Sequence, residues 1–441
     1  MLTAKKIHKK LNESIECVVE NKGMYVRNPS RDFVRNRKLP MQSVIKKVLS
    51  MSGGSLKKEM HRFSELENIE LTPSAFVQQR SKISSKAFKD IFHRFNDACP
   101  DAKTYRGYRL LAVDGSDINH YRNPNSESFI TSPQNTRGYN QIHLNAIYDL
   151  CNKTYVEILL QPRPKADEQN ALVEMVKHHI FQGKNIILAD RGYEGYNTIA
   201  HLILAKNVDF MIRAKHGAGA LRQIAELPME ELDVDIVVEI TTTQTKEDKV
   251  RRRVILQQAS RKGKSNSPKT NLRRWDFESP YTLNFRVVRF LLDTGEYETI
   301  TTSLSRKDFS IDEIKELYHM RWGIETSFRE LKYAIGLINL HCKKDGLIVQ
   351  EIYAALIMYN YCSRIAGNVS VHKRRKTIHA YKVDFTMAIH LCKVFYRENR
   401  SNFKKLVSDI GKYSEPIRPG RKDRRNMKSK GFVGFTYRVA A

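Results

Sequence analysis

The sequence predicts a mixed α/β fold with helical regions on either side of it. From residue 108 onward the stretches read as strand, hairpin, helix, strand, helix and strand, an order that favours a mixed sheet covered by helices. Two of these strands end in an acid, "YRLLAVDGSD" and "KNIILADRGY", and the hairpin between them is "QIHLNAIYDLCNKTYVEILLQP". Residues 1–100 and the chain beyond 346 instead have the apolar spacing of helices.

Residues 216–297 interrupt this order with alternating apolar stretches such as "VDIVVEITTT" and "YTLNFRVVRFLL". A period of two is typical of strands, so these residues predict an inserted β subdomain. A chain of 441 residues is long enough for several domains. We expect a helical domain over 1–100, a mixed α/β domain over 101–345 that contains the insertion, and a helical region with a basic tail over 346–441.

The charge of the chain is concentrated at its ends. The formal net charge is +28, and residues 1–100 carry 20 Lys and Arg against 10 Asp and Glu. Residues 368–441 carry 19 Lys and Arg against 5 Asp and Glu. Such an excess predicts a polyanionic partner, and both ends are interpreted as contacts to nucleic acid.

The composition argues against several other classes of protein. The N-terminus lacks the apolar run of a signal peptide, and no stretch approaches the ~20 apolar residues of a membrane span. The six cysteines are scattered without a Cys-x-x-Cys pair, which disfavours a disulfide framework or a zinc site. We therefore expect a cytoplasmic protein with reduced thiols.

The stretch "LTPSAFVQQRSKISSKAFKDIFHRF" predicts two helices joined by a short turn. Thr72 occupies a cap position, Pro73 a first helical turn, and the second helix is expected to begin near Ser84. Helix pairs of this kind bind DNA in many proteins, and the basic charge of residues 1–100 favours that role. An ordinary packed helix pair is the alternative.

Two aspartates, Asp114 and Asp190, end the first and fourth predicted strands. If these strands are parallel neighbours in the sheet, both side chains emerge at the same edge. Each acid also precedes a turn, where Asp often caps the backbone. Asp117 is an alternative to Asp114, and Glu194 a weaker alternative to Asp190.

The stretch "YHMRWGIETSFRELK" predicts one continuous helix. At about 100° per residue, Arg321, Glu325 and Lys332 fall within roughly 60° of Tyr318, beside the apolar face of the helix. Glu330 lies about 140° from Glu325 by the same arithmetic. A carboxylate in this stripe could reach a groove, although a salt bridge at the edge of the core would have the same spacing.

Three carboxylates, Asp114, Asp190 and Glu325, could form an all-oxygen site for Mg²⁺ or Mn²⁺. Two such ions about 3.5–4 Å apart activate an attacking hydroxyl and stabilise the leaving oxygen of a phosphodiester. This chemistry needs no histidine base or serine nucleophile.

The spacing Tyr-x2-Arg-x3-Glu-x6-Lys, formed by Tyr318, Arg321, Glu325 and Lys332, resembles the Y-R-E-K signature of a family of DDE-type insertion-sequence transposases. "VDGSD" and "LADRGY" are similar to the surroundings of the two family aspartates, and "MIRAK" resembles the strand after them. The resemblance extends from about residue 70 to 440. It implies a ribonuclease H-like catalytic domain interrupted by a β insertion.

The resemblance also implies roles for single residues. Asp114, Asp190 and Glu325 would be the catalytic residues and would bind two Mg²⁺ or Mn²⁺ ions. Trp322 could stack on a displaced base, with packing against the sheet as the alternative. Some relatives hold a flipped base with a tryptophan in the preceding strand, where this chain has Tyr297 and Glu298. The residues expected to hold the phosphate backbone are Tyr318, Arg321, Lys332, Arg213 and Lys215.

The function predicted from this resemblance is cut-and-paste DNA transposition in a bacterial cytoplasm, in association with the nucleoid. The partners would be double-stranded DNA, as the terminal inverted repeats of the element and as the target, with a homodimer joined through the C-terminal helices in a synaptic complex. Two alternatives stay open: a ribonuclease H-like nuclease or resolvase, and a catalytically silent repressor that binds the ends.

Overall fold

A computed structural model describes residues 2–35, 37–100, 102–133, 135–258, 274–371 and 379–418. Within these residues, a ten-stranded sheet has the order β2-β3-β1-β5-β6-β12-β11-β7-β8, with β4 paired to β3, and two small sheets pair β9 with β10 and β13 with β14. The strands are β1 (Tyr108–His120), β2 (Phe129–Ser132), β3 (Asn135–Asp149), β4 (Thr154–Pro162), β5 (Lys184–Ala189), β6 (Val208–Arg213), β7 (Leu232–Thr241), β8 (Val254–Ile255), β9 (Gln257–Gln258), β10 (Arg274–Trp275), β11 (Tyr281–Leu291), β12 (Tyr297–Thr302), β13 (Tyr381–Val383) and β14 (Ser414–Pro416).

Helices account for both flanking regions and for the connections between parallel strands. They are α1 (Ala4–Glu20), α2 (Met41–Ser50), α3 (Leu56–Glu67), α4 (Pro73–Arg80), α5 (Ser85–Ala98), α6 (Glu168–His178), α7 (Tyr196–Leu204), α8 (Arg222–Ala225), α9 (Lys246–Val250), α10 (Ile311–Met320), α11 (Gly323–Arg329), α12 (Asp345–Ala366), α13 (Phe385–Arg397) and α14 (Phe403–Lys412). None of the helices in the described part of the chain combines the length and the apolar character that crossing a membrane requires.

The predicted mixed sheet is confirmed. Strands β4, β3 and β1 are successive antiparallel neighbours, whereas β1, β5 and β6 are parallel. Helix α6 lies between β4 and β5 in the chain, and α7 connects β5 to β6. Three antiparallel strands followed by two parallel ones form the sheet of a ribonuclease H-like fold. The apolar runs are fully buried because both faces of this sheet are covered.

The insertion extends the same sheet. Strand β12 pairs with β6, β11 pairs with β12, and β7 pairs with β11, all antiparallel. Val238, Ile240, Leu283 and Phe285 bury one face of these strands in the core that also contains residues of α6 and α7. Within this insertion, residues 259–273 lie outside the described part of the chain.

The predicted helix starts near residue 72 and residue 84 are confirmed. The Thr72 side chain accepts a hydrogen bond from the Ala75 amide, and the Ser84 side chain accepts one from the Lys86 amide. Helix α5 then buries its apolar face in a core shared with α1, α12 and α13. A DNA-reading role for the α4–α5 pair and the division into three domains stay predictions.

One buried cation joins the N-terminal helices to α12. The Arg80 side chain is fully buried and donates hydrogen bonds to Glu351 Oε1 and Gln350 Oε1 at 2.8 Å and to the Leu347 carbonyl at 2.7 Å. Burial raises the pKa of Glu351, but Arg80 and His341 outweigh burial and lower that pKa to about 2. Glu351 is therefore a carboxylate at neutral pH, and the pair is a buried ion pair.

Candidate active site

The sheet register brings Asp114 and Asp190 together. Val113 on β1 is paired with Ala189 on the parallel strand β5, and the two aspartates are the next residues on each strand. Asp190 follows the end of β5, as expected. Asp114 does not end its strand, because β1 continues beside β3 to His120. The predicted strand end was therefore wrong, whereas the condition for a shared edge, parallel pairing of the two strands, is met.

Both aspartates point to the face of the sheet that carries α10 and α11. Leu110 and Leu188, on that face by strand alternation, share a core with the α10 residue Leu317. Burial is the largest influence on Asp114 and raises its pKa to about 6. The Gly115 amide and Arg321 lower this pKa, whereas Asp190 and Glu325 raise it. Asp114 is therefore close enough to both Asp190 and Glu325 to be repelled by each.

The Arg321 guanidinium bridges two of these carboxylates. Its Nη2 atom lies 3.3 Å from Glu325 Oε1, and its Nη1 atom lies 3.9 Å from Asp114 Oδ2. The Arg321 side chain is almost fully buried, and its Nε atom has no hydrogen-bond partner. Arg321 thus supplies positive charge that balances Asp114 and Glu325.

The predicted continuous helix from 318 to 332 was wrong. Helix α10 ends at Met320. Between α10 and α11, the Arg321 amide donates to the Tyr318 carbonyl and the Ile324 amide donates to the Arg321 carbonyl, and each bond spans three residues as in a 3₁₀ turn. A methyl group on Gly323 would lie 2.7 Å from Leu150 Cδ2, so glycine permits the chain to approach the core here. A π-helical turn, Glu330–Ala334, follows α11.

These breaks change the surroundings of two signature residues. Lys332 lies in the π-helical turn; its burial lowers its pKa, and Asp117 raises that pKa. The buried Tyr318 hydroxyl donates to the Ala189 carbonyl at 3.4 Å, directly before Asp190. Lys332 therefore lies within the electrostatic influence of Asp117, and Tyr318 contacts the end of β5.

The other predicted contacts occupy the rim of the site. Arg213, at the end of β6, forms an ion pair with Glu298 at 3.3 Å, and both residues influence the pKa of Tyr318. The Trp322 side chain is 40 % exposed, and the Arg321 guanidinium lies 5.1 Å from its ring. Lys215 is half-buried two residues beyond Arg213.

The two alternative acids have other partners. Glu194 accepts hydrogen bonds from the backbone amides of Lys215 and Leu221. Asp117 accepts a 2.7 Å hydrogen bond from His143 Nδ1 and lies 3.2 Å from Arg163 Nε. These contacts account for both carboxylates within the fold.

The donor chemistry of the site fits a hard divalent cation. Asp114, Asp190 and Glu325 are oxygen donors, and their mutual repulsion would be relieved by a bound cation. Among the described residues, however, no three His, Cys, Asp or Glu side chains converge closely enough to enclose a metal ion. The Arg321 guanidinium contacts both Asp114 and Glu325.

Sequence reasoning missed His143 and Glu168, which lie beside the site. His143 is buried on β3 opposite Asp117, and its Nε2 atom lies 3.1 Å from Glu168 Oε1 at the start of α6. The available signal was a histidine within the buried strand "QIHLNAIYD", cross-strand from an acid.

A mixed sheet with acids beside two adjacent parallel strands and a third on a following helix is the arrangement expected of a nuclease-like enzyme of the DDE class. The family model described as "Transposase DDE domain" matches residues 105–361, more than half of the chain. The chain therefore belongs to the DDE-domain transposase family, and the protein is a DNA transposase.

Two known proteins are similar to this chain. It is 24 % identical over 347 residues to the transposase InsG for insertion sequence element IS4 of Escherichia coli (strain K12), in an alignment that covers 74 % of this chain and 70 % of that protein. Among solved structures, the cryo-EM structure of a piggyBac transposase synaptic complex with hairpin DNA matches with a TM-score of 0.43 and 11 % identity. That match covers 95 % of this chain and 84 % of the other.

Proposed function

We propose that this transposase binds the ends of its own element and performs cut-and-paste transposition, with Asp114, Asp190 and Glu325 as catalytic residues that hold two Mg²⁺ or Mn²⁺ ions. The observation that carries the proposal is the pairing of Val113 with Ala189, which makes the two aspartates neighbours on the face that carries α11. Glu325 raises the pKa of Asp114, which supports its inclusion in the same site.

When bound, the metal ions would supply the activation of a water or 3′-hydroxyl nucleophile and the stabilisation of the leaving oxygen. The carboxylates of this chain would hold and orient those ions. Arg321 would exchange its carboxylate partners for a DNA phosphate as metal and DNA arrive, because guanidinium groups bind either anion through the same paired donors.

The surrounding cations and aromatic residues support binding of the DNA backbone at this site. Arg321, Lys332 and Tyr318 would contact phosphates of the transposon end, with assistance from Arg213 and Lys215. Trp322 is exposed beside Arg321, so stacking on a displaced base is favoured over packing against the sheet. Glu298 forms an ion pair with Arg213 where some relatives carry a tryptophan, so a flipped base would need another contact, such as Trp322.

The partners of this site would be the terminal inverted repeats and the target DNA. The excess of Lys and Arg in residues 1–100 and 368–441 supports contacts to phosphate outside the catalytic domain. Most of the basic C-terminal tail, residues 419–441, lies outside the described part of the chain. We further propose that two copies join through the C-terminal helices in a synaptic complex.

The metal requirement tests this proposal. We expect the full chain to cleave and rejoin a duplex that carries its terminal repeat in Mg²⁺ or Mn²⁺, and to do neither in Ca²⁺ or EDTA, because Ca²⁺ prefers longer bonds and more ligands. Gel analysis of labelled duplexes measures both steps. Cleavage that persists in EDTA would contradict the metal site, cleavage without strand transfer would favour a nuclease or resolvase, and binding without either step would favour a repressor.

A further inference from the structure

The first turn of α6 touches the chain directly after both catalytic aspartates. The Gly115 amide donates to Asp114 Oδ1 at 2.8 Å, and the Gly192 amide donates to Asp190 Oδ1 at 2.7 Å. A methyl group on Gly115 would lie 2.9 Å from Glu168 Oε1, and a methyl group on Gly192 would lie 3.4 Å from Glu168 Oε2. One carboxylate therefore lies against both glycines whose amides hold the two aspartates.

A buried histidine holds this carboxylate in place. His143 Nδ1 is hydrogen-bonded to Asp117 Oδ1 at 2.7 Å. Its Nε2 atom lies 3.1 Å from Glu168 Oε1 as an ion pair, without the alignment of a hydrogen bond. Burial lowers the pKa of His143, but the two carboxylates outweigh burial and raise that pKa to about 9. The imidazolium is therefore charged at neutral pH and attracts both acids.

Asp117 is also close to charged residues of other elements. Asp117 also lies 3.2 Å from Arg163 Nε, and Lys332 in the π-helical turn lowers the pKa of Asp117. The neighbouring Gln169 donates to the carbonyls of Gly192 and Glu194 at 3.0 and 2.9 Å. The first turn of α6 is thus attached at several points to the loop that carries Asp190.

We propose that Asp117, His143 and Glu168 form a positioning network on the opposite face of the sheet. This network sets the distance between the side chains of Asp114 and Asp190. Glu168 packs against Gly115 and Gly192, and the backbone amides of these glycines orient the aspartates through hydrogen bonds. His143 fixes Glu168, and Asp117 fixes His143. The network touches neither metal nor DNA and acts through the spacing of the metal-binding oxygens. This inference rests on the proposed role of Asp114 and Asp190.

The experiment compares the cleavage of a terminal-repeat duplex over a range of Mn²⁺ concentrations in full-length variants. Glu168→Ala and His143→Ala should each reduce cleavage about 10- to 100-fold at low Mn²⁺, as removal of groups that orient metal ligands does elsewhere. The Mn²⁺ concentration for half-maximal cleavage should rise, while duplex affinity in EDTA stays within about twofold. Because the two residues act in series, the double variant should be no worse than the poorer single variant.

Conservative and control variants separate positioning from charge and from folding. Glu168→Gln keeps the shape that contacts both glycines but loses the charge that His143 attracts, so its cleavage should lie between that of Glu168→Ala and that of the parent chain. Glu174→Ala, further along α6 beside Lys177 and His178, should cleave like the parent chain. Melting temperatures identify any variant that fails to fold.

Three outcomes would overturn the network: multiplicative losses in the double variant, a Glu168→Gln variant as poor as Glu168→Ala, or an unchanged Mn²⁺ requirement. The proposed function has its own test. If Asp114→Asn and Asp190→Asn retain cleavage, the catalytic assignment fails. If they lose cleavage while Glu168→Ala cleaves like Glu174→Ala, only the network is wrong.

Discussion

Glu325→Gln is expected to abolish DNA cleavage and to leave binding of the element ends intact. The substitution keeps the size of the side chain but removes one of three proposed anionic metal ligands. Loss of a group that merely orients a ligand costs about 10- to 100-fold, so loss of the ligand itself should cost at least about 100-fold. Arg321 Nη2 lies 3.3 Å from Glu325, and without that charge Arg321 should bind phosphate equally well or more tightly.

Gel-shift affinity, cleavage rate and thermal melting of the same preparations measure this prediction. Glu316→Gln is a matched control, because Glu316 is an exposed glutamate on the neighbouring helix α10. Arg321→Ala and Lys332→Ala should instead weaken end binding, each by about 1.5–3 kcal/mol for a charged hydrogen bond. Parallel loss of binding, cleavage and stability in Glu325→Gln would show that Glu325 only steadies the fold.

Arg80→Ala should produce the largest loss of stability, because it removes one partner of a buried ion pair. The free energy of unfolding is expected to fall by about 3–5 kcal/mol. Glu351 would keep its contacts with His341, but the buried carboxylate would lose its guanidinium partner. Gln350 would also lose the hydrogen bond that its Oε1 atom accepts from Arg80.

Urea denaturation of the full chain measures this change in the free energy of unfolding. The unfolding curves from fluorescence and from circular dichroism should coincide if the transition is two-state. The double replacement Arg80→Met with Glu351→Gln should recover part of the loss, because no unpaired charge stays buried. Arg251→Ala is the control: its pair with Glu247 is exposed on both sides and should contribute about 0–1 kcal/mol. A loss below about 1 kcal/mol for Arg80→Ala would mean that the buried ion pair of Arg80 and Glu351 adds little to the stability of the fold.

Much of the catalytic fold could be predicted from local patterns. The apolar runs of β1 and β5 predict buried strands, and if such strands pair in parallel the acids that follow the runs lie at one edge. Thr72 and Ser84 predict helix starts because their side chains accept amide hydrogen bonds that the first turn leaves unpaired. The apolar runs and the helix starts depend on neighbouring residues only, so a single sequence contains them.

The details of the site depend on contacts between distant residues and could not be predicted in this way. Just after the break at Met320, Gly323 approaches Leu150, and neither helical propensity nor periodicity reports that contact. Arg321 was expected to hold phosphate, and the structure shows that it also contacts Asp114 and Glu325. The link from His143 to Glu168 joins β3 to α6 and depends on the packing of the helix onto the sheet.

The measurement that tests the central claim most directly is a titration of Mn²⁺ into the full chain bound to its end duplex, followed by the electron paramagnetic resonance signal of free Mn²⁺. If Asp114, Asp190 and Glu325 hold two ions, the parent complex should remove up to about two equivalents of Mn²⁺ from solution. Asp114→Asn and Asp190→Asn should each bind fewer or bind more weakly, while they keep the affinity for the duplex. Equal Mn²⁺ binding by the parent and both variants would contradict the proposed site.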